Sequence, residues 1–354
     1  MTLAAERAID ELKRGRAIVV TPASGAPGLA VLPVELAGDA SLAEFEGDTR
    51  ADILITDKRA ATLKLANQKP AAGMRAVRLE RPPWVDAAGA VAVADPARDL
   101  REPLKGPFRT LPADDPETAA AALLALKHAG LLPAAHVRPA RGHDPFLAVP
   151  ATDVDAFQSA TQLREVTRAR LPLKAAEDTT VVAFRAPGGP EHLALLVADW
   201  AAKDAPLVRL HSACLTGDVL GSLKCDCGDQ LQAALGMIAA DGGGILLYLQ
   251  QEGRGIGLVN KLRAYSLQDQ GFDTVDANTR LGFEVDERDF GLAAEMLKAV
   301  GRTRIRLLTN NPQKVGGLAD HGIEVADRVP LVAGHGPLNE AYLATKRDRT
   351  GHQL

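Results

Sequence analysis

The run from His211 to Gln232, HSACLTGDVLGSLKCDCGDQLQ, holds all three cysteines of the 354-residue chain, Cys214, Cys225 and Cys227. Structural cysteines scatter among the apolar positions of a core, so this clustering points to thiolate chemistry, with a metal site as the leading reading. A zinc ion that only holds a fold takes four protein ligands, whereas a catalytic one commonly takes three and leaves the fourth position to water or substrate. Three cysteines fit an open site. Asp218, Asp226, Asp229 or His211 could instead complete a closed one, and a dithiol pair or inert core thiols are the bland alternatives.

Three further groups have types and spacing suited to chemistry. Glu252 to Gly257, EGRGIG, follows the apolar run GILLYLQQ and precedes a helical pattern from Leu258 to Gln270. A strand, a glycine-rich turn and a helix start together make an anion site, because small residues let backbone N–H groups approach phosphate and the helix dipole favours negative charge. Arg254 adds a bidentate donor. In DERDF, a helix is expected to begin near Asp286, so Asp286 is either its cap or a base, and Arg288 is a candidate phosphate ligand. Lys314, in the first turn of a helix opened by Pro312, opposes the helix dipole and is better explained by an anionic ligand. Tyr265 shares a helix face with Leu258 and Leu262, so core packing competes with a functional role.

The elements that must position these residues follow from periodicity and turn chemistry. Strands are expected at Thr179–Arg185, His192–Asp199, Pro206–His211, Gly244–Gln251, Arg304–Thr309 and Ile323–Ala326, with a helix from Asp229 to Ala240 directly after the cysteines. The first half reads as a helix over Glu6–Leu12, then strands at Ala17–Val20, Ala30–Leu36, Asp52–Thr56, Met74–Leu79 and Ala134–Pro139. Helices are expected at Asp57–Asn67, capped by Asp57, and at Pro116–Gly130. Loops are expected between Arg81 and Pro116, and helix from Val154 to Arg170. The fold class is α/β (α+β), in two domains that are each a mixed sheet packed with helices: residues 1–150, a linker over 151–170, and residues 171–354. A net charge of −4 argues against nucleic acid as a partner, and no run of apolar residues is long enough for a membrane. With no signal-peptide pattern at the start and no dispersed even cysteine set, a cytoplasmic protein is expected.

From about Val166 to Leu354 the chain resembles GTP cyclohydrolase II. The resemblance rests on LTGD, KCDCG, QEGR, IGL, NK, RAY, LQDQG, LGF, DERDF, LLTNNP and RVPL, in order. It implies release of formate and pyrophosphate from GTP at the first step of riboflavin synthesis. One zinc ion on Cys214, Cys225 and Cys227 is implied to acidify water for attack on C8 of guanine. Asp286 is implied as general base, Arg288 as nucleophile or electrostatic partner at the α-phosphate, and Tyr265 as an assisting group. Arg209, Leu210, His211, Ser212, Ala213, Gln230, Glu252, Gly253, Arg254, Thr274, Thr309 and Lys314 are implied to line the GTP site. Mg²⁺ on the triphosphate and a homodimer belong to the same resemblance. The chain departs from the family at Ala213, where Glu is usual, and at Gly255, where Asn is common and glycine should loosen the loop. A paralogue with another product, or a GTP-binding regulatory protein, is the alternative.

The first half is similar to the dihydroxybutanone-phosphate synthase domain, on AIDELKRGRAIVV and PETAAAALLALKHAGLLPAAHV. The acidic stretch that holds magnesium in that family is replaced by TPASGAPGLAVLPVE, with no carboxylate from Thr21 to Val34. Mg²⁺ demands oxygen ligands, so this domain is expected to be catalytically silent.

Overall fold

The computed structural model describes residues 3–157, 163–186, 189–334, 336, 340–351 and 353. The chain forms two compact units, Met1–Phe157 with Val259–Val285, and Gln158–Leu258 with Asp286–Leu354. The segment Val259–Val285 groups with the first half.

In the first unit, β1 (Ile18–Thr21), β2 (Leu29–Pro33), β3 (Asp52–Thr56), β4 (Ala76–Leu79), β5 (Thr110–Leu111), β6 (Ala134–Pro139) and β7 (Leu147–Pro150) form one mixed sheet. Its order is β5-β4-β3-β6-β2-β1-β7, antiparallel except for the β1–β7 pair. Alternate residues feed two cores. Ile18, Val20, Val31, Leu54, Ala135 and Val137 pack under the helices Leu3–Lys13 and Pro116–His128. Val19, Ala30 and Leu32 face Leu42 and Phe45 of the helix Asp39–Glu46. The helix after β3 ends at Thr62 and is capped by Thr56, whose hydroxyl accepts from the Arg59 N–H at 3.1 Å, so Asp57 is not the cap. The proline-rich stretch expected to be loop contains the helix Ala87–Ala94, capped by Asp86; its alanines and valines are mostly buried but carry little amphipathic pattern.

The second unit holds β8 (Arg164–Arg170), β9 (Thr179–Arg185), β10 (Glu191–Ala198), β11 (Leu207–Ser212), β12 (Gly243–Leu249), β13 (Arg304–Leu308) and β14 (Glu324–Val329). Their order is β14-β13-β11-β12-β10-β9-β8, with β14, β13, β11 and β12 parallel and the remainder antiparallel. β8 corrects the helix expected up to Arg170. Its charged residues suggest helical pairs, but Arg164–Arg170 is an exposed edge strand on β9, and charge on an edge blocks further pairing. One face packs against the helices Gly291–Ala299 and Pro312–Ala319, the other against Cys227–Ala240. Gly244 at the start of β12 is forced by proximity, since a Cβ there would lie 2.2 Å from the Leu207 carbonyl oxygen.

Candidate active site

In an open parallel sheet, ligands bind beyond the carboxyl ends of the strands. Three such ends lie side by side here. β11 runs out into Ala213 and Cys214, β12 into Gln250 to Gly255, and β13 into Thr309 to Lys314.

The cysteines converge just past β11. Cys214 enters a wide five-residue turn, Leu215–Val219, and Cys227 opens the helix Cys227–Ala240. The three sulfurs lie within 4.8 Å of one another, with Cys214 Sγ to Cys225 Sγ at 3.8 Å. Gly217 sits against them: a Cβ there would fall 2.9 Å from Cys225 Sγ and 3.1 Å from Cys214 Sγ, and its N–H donates to Cys214 Sγ at 3.3 Å. The Cys227 thiol is pushed well above its ordinary pKa by hydrogen bonding with Cys214 and Cys225 and by burial. Three crowded thiols resist losing protons together, and a soft divalent cation removes that obstacle, so the donor set fits zinc.

Among the described residues the cluster contains these three cysteines and none of the candidates for a fourth ligand. Asp218 is turned to other work. Its Oδ2 accepts from the Cys214 N–H at 3.0 Å and the Tyr248 hydroxyl at 2.9 Å, and His211 Nε2 lies 3.1 Å from both of its oxygens. Burial holds His211 below its ordinary pKa, against the pull of Asp218. Asp226 accepts from Lys346 at 2.7 Å and from Gln230 at 2.5 Å. The sequence offered Asp218 only as a possible metal ligand and did not single out Tyr248. The period-2 pattern of β12 puts Tyr248 on the His211 side of the sheet, and that was the available signal.

Arg209 and His211 alternate with Val208 and Leu210, so they project from the face covered by the helix Cys227–Ala240. Arg209 donates to the Leu308 carbonyl at 3.0 Å and to Gln230 Oε1 at 2.7 Å. Burial pushes its pKa down to about 10. Lys314 donates to the Leu210 carbonyl at 2.8 Å and is held well below its ordinary range, first by burial and then by Arg209 and Arg288. Thr309 Oγ1 accepts from the Asn311 N–H at 3.0 Å, closing the turn that leads to Lys314. Clustered cations desolvated in this way make a place for an anion.

The helix expected at Asp286 begins instead at Gly291, whose N–H donates to Asp289 Oδ1 at 2.8 Å. Asp286 and Arg288 therefore lie in the preceding loop, fastened to the glycine turn by Glu287 N–H to the Arg254 carbonyl at 3.0 Å. They grip each other: Arg288 Nε reaches Asp286 Oδ1 at 2.8 Å and a terminal nitrogen reaches Oδ2 at 2.5 Å. Burial would raise the Asp286 pKa, but the hydrogen bonds and charge of Arg288 outweigh it and hold the carboxylate below its ordinary range. Arg288 also approaches Ser212 Oγ at 3.5 Å.

Gly253 and Arg254 both take the left-handed conformation, at φ +63° and +62°. For arginine this is an uncommon backbone state of the kind found at ligand sites. Glu252 Oε2 accepts from the Leu215 N–H at 2.7 Å, tying the turn to the cysteine loop. Gly255 does not loosen this turn: its φ is +93°, and a Cβ would lie 2.7 Å from the Glu287 carbonyl oxygen. Ala213 is buried, its N–H on the Leu249 carbonyl at 2.7 Å. Tyr265 and Thr274 belong to the first unit, where the Lys261 ammonium lies 5.6 Å from the centre of the Tyr265 ring and Thr274 Oγ1 accepts from Gln268 at 3.1 Å.

The family model for GTP cyclohydrolase II matches residues 164–330. A GTP cyclohydrolase-2 from Azospirillum brasilense is 46% identical over 372 residues, covering 99% of this chain and 94% of that protein. One from Escherichia coli is 53% identical over 193 residues, covering 54% of this chain and 98% of that protein. A solved two-domain 3,4-dihydroxy-2-butanone 4-phosphate synthase from A. baumannii aligns over 93% of this chain and 99% of that one, at 14% identity and TM-score 0.33. That looser likeness supports nothing further. The close similarity along nearly the whole length places the chain in the GTP cyclohydrolase II family, the hydrolases that open GTP at the start of riboflavin synthesis.

Proposed function

We propose that GTP is hydrolysed at the carboxyl ends of β11, β12 and β13, with Cys214, Cys225 and Cys227 holding one zinc ion. The observation that carries this reading is the meeting of the three-thiol cluster and the Arg209, Arg288 and Lys314 cations within the second unit. Zinc, when bound, supplies the Lewis acidity for hydrolysis at C8 of the guanine ring.

The protein's own residues do the rest. Asp218 fixes the first ligand through the Cys214 N–H, and His211 and Tyr248 hold Asp218. A carboxylate is thus present beside Cys214 although Ala213 lacks one, which supports a working enzyme over an altered paralogue. Arg254, Arg288 and Lys314 take the triphosphate, with Mg²⁺ alongside it. Asp286 can act as a base only once Arg288 turns from it to phosphate, because a carboxylate chelated by guanidinium is a weak proton acceptor. Substrate binding therefore switches the pair on. Gln230, Glu252, Gly253 and Thr309 shape the pocket with the backbone of Leu210 and Ser212; roles for Tyr265 and Thr274, which belong to the first unit, rest on the family resemblance alone. A homodimer belongs to the same reading. The first unit is a synthase-like domain without that chemistry, given that residues 21–34 contain no carboxylate.

Incubation of the purified protein with GTP, Zn²⁺ and Mg²⁺ tests the account. Formate and pyrophosphate are expected in equal amounts with the diaminopyrimidinone ribosylamine phosphate. Pyrophosphate without formate would instead identify a paralogue that stops before ring opening.

A further inference from the structure

We propose, resting on the reading of a zinc and GTP site given above, that Lys346 on the helix Glu340–Thr350 is a positioning residue for the reaction. It neutralises Asp226, which stands between the metal ligands Cys225 and Cys227, and so holds the thiolate turn in a form that accepts the triphosphate. Both residues belong to the second unit.

The Asp226 side chain is 1% exposed and that of Lys346 10%, with Lys346 Nζ 2.7 Å from Asp226 Oδ1. The other carboxylate oxygen accepts from Gln230 Nε2 at 2.5 Å, and Gln230 Oε1 accepts in turn from Arg209 at 2.7 Å. One run of polar contacts therefore joins the carboxyl-terminal helix to the thiolate turn and on to a cation of the phosphate site. A carboxylate buried without a counter-charge is costly. Here the cost would fall on the ligand turn itself, because three thiolates already outweigh the charge of a divalent ion. An unpaired Asp226 would add to that excess and repel the triphosphate, and Lys346 cancels it. The Lys346 charge also reaches Lys314, which is held below its ordinary range by burial first, then by Arg209 and Arg288, and to a lesser degree by Lys346.

The end of the chain is seated where this pairing needs it. The Gln353 N–H donates to the Asn310 carbonyl at 2.9 Å, directly after Thr309 in the loop that leads from β13 to Lys314. Asn310 and Leu331 exchange two hydrogen bonds, Leu331 N–H to Asn310 Oδ1 at 3.0 Å and Asn310 Nδ2 to the Leu331 carbonyl at 2.5 Å. Within the helix, the Thr350 hydroxyl donates to the Lys346 carbonyl at 2.8 Å. Gly334, at φ +74°, passes so close to the start of the helix Cys227–Ala240 that a Cβ would stand 2.8 Å from Asp229 Oδ2 and 3.1 Å from Asp226 Cβ. Packing against both the thiolate turn and the loop after β13 makes Lys346 a built part of the site.

The test uses the full chain, loaded with Zn²⁺ for kinetics and with Co²⁺ for its visible spectrum. Lys346→Met removes the positive charge. Asp226→Asn, added to it, removes the charge left behind and keeps an oxygen for Gln230. In Lys346→Met, kcat/KM for formate release should fall roughly tenfold, mainly through KM, and the Co²⁺ bands should shift; in the double variant KM should return to within about twofold of wild type. A mere structural tie would leave the double variant no better than Lys346→Met. That result, or wild-type kinetics and spectrum in Lys346→Met, overturns the proposal. Should Lys346→Met fail to fold, Lys346→Gln, which keeps a donor without the charge, decides by the same readings. Wild-type protein that binds neither metal overturns the zinc reading and the role of Lys346 with it, whereas an indifferent Lys346→Met in metal-loaded, formate-releasing protein overturns the role of Lys346 alone.

Discussion

The three sulfurs are legible in the sequence as residue types, but the residue that lets them meet is not. Gly217 looks like ordinary turn glycine in LTGD, and its need is spatial: the position of a Cβ is already occupied by Cys225 Sγ and Cys227 Cβ, each 2.9 Å away. Gly217→Ala should weaken zinc binding by about 10–100-fold, as losses in the shell around a metal do. Gly236→Ala is the matched control, since an added Cβ there meets nothing within 4 Å. Competition for zinc with a chelator reads both, and equal retention would count against the packing argument. Asp218 was legible only as a possible ligand. Its actual place, between the Cys214 N–H, His211 and Tyr248, depends on β11 and β12 being neighbours, which no local pattern states.

Strands with clean alternation or continuous apolar runs, such as β3, β9, β11 and β12, fall close to their expected bounds, because burial on a sheet face imposes the pattern itself. Where charge spacing imitated a helix, at Arg164–Arg170, pairing with β9 prevailed. Where an acid imitated a cap, at Asp286, its partner proved to be the side chain of Arg288. The glycine turn and the loop of Asp286 and Arg288 act as one element, joined by Glu287 N–H to the Arg254 carbonyl at 3.0 Å. Gly255→Ala places a Cβ 2.7 Å from the Glu287 carbonyl oxygen and must push the two apart. A displacement of this kind should lower kcat roughly tenfold while zinc content stays unchanged. Wild-type kinetics in that variant would show that the two loops work independently.

For the whole molecule, acid sensitivity follows from buried histidines, of which His136 in the first unit and His192 in the second join His211 in being held below the ordinary value. His136 is pushed down to about 3 by burial, with Arg81 adding to it, and His192 to about 4 by burial. Both folded values lie below the ordinary 6.5, so the unfolded chain takes up protons first as the pH falls. Their contribution to stability is complete above pH 6.5 and is lost as pH falls towards the folded values, at no more than about 1.4 kcal/mol per pH unit for each group. Denaturation midpoints should therefore drop between pH 7 and pH 4, and His136→Leu should flatten that dependence; an unaltered slope would place the acid sensitivity elsewhere. The two-sheet architecture was legible from the succession of strands and helices, whereas the membership of Val259–Val285 in the first unit was not, because chain order does not reveal which core a helix joins. The most direct test of the central claim is formate release from GTP by Cys225→Ser beside the wild-type protein, with zinc measured in the same samples. The thiol cluster predicts loss of both zinc and formate from a variant that remains folded; formate released at the wild-type rate would contradict it.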